Sequence, residues 1–122
     1  MIKQLVLIFM GGGLGCALRF YFSIVFNSDQ IKWLPTLGVN LFGCLFLGLL
    51  YGIHLKQGMS YHWYLILGTG FCGGLTTFSA FSLETLQLLK SQNYTGAAIY
   101  LAISISGGLL CAFAGYSAVK LL

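Results

Sequence analysis

Charge is scarce in this chain. Only two of its 122 residues are acidic and six basic. The bases, Lys3, Arg19, Lys32, Lys56, Lys90 and Lys120, are scattered, so no basic stripe of the kind nucleic acid requires is present. They read instead as charges at a membrane surface. Proline occurs once, at Pro35. The four cysteines (Cys16, Cys44, Cys72 and Cys111) all lie in apolar stretches, and no two have metal-ligand spacing. A thiol in such a setting acts as a small hydrophobe, so neither a disulfide nor metal–thiolate chemistry is expected. Scarcity of acids also disposes of a tempting match. Gly68-Thr-Gly70-Phe-Cys-Gly73 has the letters of a dinucleotide fingerprint, but it lies in an apolar run and no acid sits near position 93. No nucleotide site is expected.

What is abundant is apolar length. Hydrophobic residues make up 58% of the chain, above the globular norm of about half. Four runs carry the excess: residues 5–26, 33–53, 63–83 and 97–119. Each would extend roughly 30–35 Å as helix, the thickness of a hydrocarbon core. The expectation is an all-α membrane protein in one domain, 1–122, with helices at about 4–27, 33–54, 62–90 and 95–121. Lys3 and the apolar residues after it could pass for a signal peptide, but the run reaches Phe26 without an Ala-x-Ala site, so a retained first helix is expected. Trp33, Tyr61, Trp63 and Tyr64 sit at helix ends, as an interfacial belt requires.

Inside these runs a few residues do not suit a plain span. Gly70 to Glu84 holds paired glycines, paired threonines and two serines. Glycine lets a backbone leave helical geometry, and hydroxyls can satisfy the freed groups. The third helix is therefore predicted to break near 73–77. Such breaks survive in a bilayer only where they are buried in protein or line a watery cavity. Phe78 and Phe81 follow on one face of the resumed helix. They are either ordinary core or the lining of a path. Arg19 is a charge within the first span, which either faces the interior or snorkels to the interface. Asn40, with Thr36 and Gly43 on the same side of helix two, is either interhelical glue or a pore-lining donor. Glu84 is interfacial or caps a polar track. Tyr100, Ser104 and Gly108 share a face of helix four. Gly11 and Gly15, Gly48 and Gly52, and Gly107, Gly108 and Gly115 are small residues that let helices approach closely.

Across four spans the bases divide almost evenly. Lys3, Lys56 and Lys120 fall on one side, and Lys32 and Lys90, joined by Arg19 if it snorkels, on the other. A chain with so little positive-inside bias can insert both ways, and two copies can pair antiparallel. Four short helices alone scarcely enclose a polar route, which agrees with pairing.

Taken in order, Gly11-Gly12-x-x-Gly15-x-x-x-Arg19, Thr36-Leu-x-Val-Asn40-x-x-Gly43 and Gly70-Phe-Cys-Gly-Gly-Leu-Thr-Thr-Phe-Ser-x-Phe-Ser-x-Glu84 resemble the small fluoride channels called Fluc or CrcB. The resemblance covers essentially the whole chain. Pro35, Ala80 and Gly108 depart from residues common in that family. The resemblance implies a dual-topology antiparallel homodimer in a prokaryotic inner membrane, with two fluoride pores, each lined by both subunits. It implies a structural sodium ion held by the backbone carbonyls of Gly73 and Thr76. It implies pores lined by Phe78 and Phe81, with Asn40 and the hydroxyls of Tyr100 and Ser104 completing the path. Thr36, Thr77 and Ser79 are further candidate pore hydroxyls, and Arg19 is a cation near the mouth.

The physics of the residues agrees, because a phenyl ring has a positive edge that can meet an anion. Amide and hydroxyl donors can then replace lost water. A passive fluoride channel that lowers internal fluoride, and no enzyme, is the expected function. A small four-helix multidrug exporter coupled to protons would need a membrane-embedded glutamate in its first helix, where this chain has Arg19. A membrane redox or scaffold protein using the cysteines is the remaining alternative.

Overall fold

A computed structural model describes residues 1–27 and 29–121; Ser28, between the first two expected helices, lies outside the described residues. Among these residues the chain is all helix and turn, without strand. Helix α1 is Ile2–Val25 and α2 is Leu34–Leu55. The third span, Tyr61–Lys90, has two parts. Its first part, α3, begins as Tyr61–Tyr64, widens to a π-helix over Leu65–Cys72 and closes with Gly73–Leu75. Its second part, α4, is Phe78–Lys90. Helix α5 is Tyr94–Lys120. Four spans are thus long and apolar enough to cross a membrane.

The helix ends follow local chemistry. Pro35 occupies the first turn of α2, where its missing N–H costs nothing. The Asn93 side chain caps α5 by accepting from the Gly96 N–H. Helix α4 ends in a left-handed turn at Gln92 (φ 59°), which lets Asn93 N–H reach back to the Leu88 carbonyl.

Packing is backbone on backbone. At Gly48 a Cβ would fall 2.1 Å from the Ala112 carbonyl oxygen, and at Gly115 a Cβ would fall 2.1 Å from that of Leu45. Glycine is what allows α2 and α5 to lie this close. Helices α1 and α3 do the same: Gly11 and Gly15 receive the carbonyls of Ile66 and Phe71, both in the π-helical stretch. That wider stretch had no distinct signal in the sequence.

The third span breaks at the carboxyl end of the predicted range, and not by the means expected. Gly73 is helical (φ −63°, ψ −35°), and no described glycine has positive φ. The backbone leaves helical geometry at Thr76 (ψ 155°) and Thr77 (φ −152°, ψ 120°). Gly74 serves contact instead, since a Cβ there would meet the Gly12 carbonyl oxygen at 2.2 Å. The glycines bring α1 close, and the threonines make the break.

Candidate functional site at the helix break

A broken helix frees backbone groups, and in an apolar medium each needs a partner. Side chains from three directions supply them. Thr76 Oγ1 and Thr76 N–H both donate to the Cys72 carbonyl, at 2.9 and 3.0 Å. Arg19 Nε donates to the Gly74 carbonyl at 3.1 Å, which sets a cation against the negative end of the α3 dipole. Asn40 takes both backbone groups of the next residue: Thr77 N–H donates to Oδ1 at 2.7 Å, and Nδ2 donates to the Thr77 carbonyl at 3.1 Å. Thr77 Oγ1 then caps α4 by accepting from Ala80 N–H at 3.1 Å, and it touches Ser79 Oγ at 3.1 Å.

This pattern has a consequence for two carbonyls. In a continuous helix, Thr77 N–H would bond to Gly73 and Ala80 N–H to Thr76. Here both donors turn to side chains, Asn40 and Thr77 Oγ1. Gly73 is exposed, and a Cβ there would meet nothing within 4 Å.

Two recesses flank the break, and Thr77 lines both. The smaller, about 250 Å³, is walled by Asn40, Cys44, Thr76, Phe78, Phe81, Ser104 and Ile105. It lies beside the amino end of α4, where the helix dipole is positive. The rings of Phe78 and Phe81 stand 5.6 Å apart at 46°. Phe78 is 79% exposed in the single copy, whereas Phe81 is 7% exposed and packs edge-on against Tyr100 at 5.1 Å. The Ser104 hydroxyl is buried without a hydrogen-bond partner among the described residues.

The larger recess, about 660 Å³, is lined by Gly13, Cys16, Arg19, Ser23, Thr36 and Glu84, among others. Glu84 is fixed from two sides. Thr36 Oγ1 donates to Oε1 at 2.7 Å, and Tyr100 OH donates to Oε2 at 2.6 Å. A third recess, about 480 Å³ and walled by apolar side chains of α1 and α2 such as Phe22, Pro35 and Phe42, offers no polar chemistry.

The structure brings Asn40, Thr77, Phe78, Phe81 and Ser104 together on the smaller recess, and Arg19, Thr36 and Thr77 on the larger. It separates the expected helix-four hydroxyls. Tyr100 is fully buried, stacks on Trp33 at 4.6 Å and spends its hydroxyl on Glu84, so it lines neither recess. Ser79 is exposed beside Thr77 and also lines neither. Asn40 acts as interhelical glue at the break while forming part of the recess wall. Cys44 was absent from the expected path, and Glu84 was expected at the interface or as the cap of a polar track. The signal for Cys44 was its position four residues after Asn40, on the same face of α2. Glu84's was its standing as the lone acid of a span.

These features define a class: a small, multi-pass, all-helical membrane protein whose polar residues gather at a broken helix. Residues 6–116 match the family described as CrcB-like protein, Camphor Resistance (CrcB), and the chain belongs to that family. Proteins named "Fluoride-specific ion channel FluC" are similar to it from end to end. That of Azotobacter vinelandii is 45% identical over 124 residues, covering 99% of this chain and 100% of its own. That of Methylobacillus flagellatus is 42% identical, with 97% and 95% covered. That of Azobacteroides pseudotrichonymphae is 40% identical, with 95% of each covered.

Proposed function

We propose that this chain is a subunit of a passive, fluoride-selective channel, and not an enzyme, that lets fluoride leave the cell across a prokaryotic inner membrane. The reading rests on full-length relatives that bear that name. The observation that carries it is the smaller recess, where two phenyl rings, the positive end of α4 and buried polar groups meet. Fluoride is small and strongly hydrated, so leaving water is costly unless donors replace it. Phenyl ring edges, the second N–H of Asn40 and the free hydroxyl of Ser104 are suited to do so. Arg19, at the larger recess, draws anions inward.

The working unit is an antiparallel dimer of two copies. Phe78, Ser79 and Gly73 are exposed in the single copy near the middle of the third span, Tyr61–Lys90, and polar backbone within a span must be covered by protein or face water. The near-even division of bases permits both orientations. A sodium ion suits the centre of this dimer. The residues that would hold it are Gly73 and Thr76, through backbone carbonyls whose usual helical donors are diverted. Hard oxygen donors of this type suit a hard cation, and unwound carbonyls are known to serve sodium in membranes. A cation held there would offset the carbonyl dipoles that the break leaves without donors.

The test is flux. Purified protein in liposomes, with voltage clamped by a potassium ionophore, should release fluoride far faster than chloride. Equal rates for the two ions would refute the proposal.

A further inference from the structure

Helix α2 presents Asn40 and, one turn later, Cys44 to the smaller recess. Opposite them, α5 presents Ser104 to the recess; Gly108 follows one turn later on α5, beside Cys44. Gly108 has no side chain to offer. A Cβ built there would find the Cys44 sulfur as its nearest neighbour, at 3.5 Å. The thiol therefore stands at contact distance from where a side chain at 108 would begin, and nothing else outside the helix's own backbone lies within 4 Å of that point. One turn before Gly108, the Ser104 hydroxyl is buried without a hydrogen-bond partner among the described residues. A polar group left so in an apolar setting is unfavourable until something in the recess accepts from it.

We propose that Cys44 lines the anion path as its next polar contact after Ser104, its S–H pointing a weak donor at a passing halide where α5 has only Gly108. The inference rests on the channel reading and extends it to a residue on α2. Packing alone does not require a thiol here, because a small apolar side chain would fill the same space. What sulfur adds is a polarisable atom and a donor. With Asn40, Ser104 and Cys44, the recess has donors on two facing helices at successive levels, and an ion handed from one to the next never loses all of them.

The test uses full-length protein in liposomes, with fluoride efflux normalised to protein that elutes at the assembled size. Cys44→Ala should lower the rate several-fold. Cys44→Ser, which restores a hydroxyl of similar size, should stay within about twofold of the parent. Adding Gly108→Ser to Cys44→Ala should recover most of the loss, since the donor then comes from the opposite wall. An unchanged rate in Cys44→Ala overturns the inference. So does a loss that neither serine recovers, which would mark a packing role. If the parent itself shows no selective fluoride flux, the channel reading and this extension fall together. A conducting parent that is indifferent to Cys44→Ala defeats the extension alone.

Discussion

The side-chain amide of Asn40 pairs with Thr77 as one peptide pairs with another, accepting from its N–H at 2.7 Å and donating to its carbonyl at 3.1 Å. One residue on α2 thereby closes the gap that the break opens in the third span. Removing it strands two backbone groups in an apolar interior, at about 1–3 kcal/mol each. Asn40→Ala should therefore lower stability by about 2–6 kcal/mol, read as an earlier unfolding midpoint in denaturing detergent. Asn40→Asp keeps the acceptor but loses the donor and adds a charge, so it should do no better. A midpoint unchanged by Asn40→Ala would mean that the break is held by something else.

Phe78 and Phe81 are neighbours in the recess but differ in what supports them. Phe78 is 79% exposed in the single copy and Phe81 only 7%. Truncating a buried phenylalanine costs about 3–5 kcal/mol, so Phe81→Ala should lose stability along with flux, as its contact with Tyr100 and Leu37 disappears. Phe78→Ala should lose fluoride flux while keeping most of its stability. Flux kept in Phe78→Ala would return that ring to a packing role.

How far the sequence could foresee this site depends on where the cause lies. The four spans were legible because apolar length is a local property that the bilayer fixes. The existence of the break was legible too, since threonines and glycines crowd one stretch. Its range, 73–77, was legible as well, but which residues in that range leave the helix was not. Local propensity points to Gly73 and Gly74, but Gly74 is held helical against Gly12, and the backbone departs where Asn40, on another helix, offers partners. The surroundings of Tyr100 were hidden for a similar reason. Spacing put it on a face with Ser104, but the Glu84 carboxylate and the Trp33 ring decide where it points. Such pairings between distant residues have no periodicity to betray them.

Gly48 supports a packing prediction with a built-in control. A Cβ at Gly48 would come 2.1 Å from the Ala112 carbonyl oxygen, which is backbone and cannot swing aside. Gly48→Ala should force α2 from α5 and cost about 1–3 kcal/mol. At Gly38, on the same helix, a Cβ meets nothing within 4 Å. There alanine should be neutral or gain up to about 1 kcal/mol from better helix propensity. Unfolding midpoints of the two variants, measured side by side, check the difference. If they fall equally, close approach is not what Gly48 provides.

The sodium proposal gives the last prediction. If the Gly73 and Thr76 carbonyls of two copies share one cation, the dimer should depend on sodium in a way that no side-chain substitution imitates. Replacing sodium with N-methylglucamine, too large for a site of backbone oxygens, should weaken the dimer by the free energy of binding that is lost. Each tenfold fall in free sodium below saturation then shifts association by up to about 1.4 kcal/mol per ion. The same exchange should weaken the Asn40→Ala dimer by a similar amount, because the Gly73 and Thr76 carbonyls remain the ligands. Dimer dissociation followed by dilution in detergent, at constant ionic strength, measures both. A dissociation constant indifferent to sodium in the parent would remove the ion from the proposal, whatever the flux assay reports.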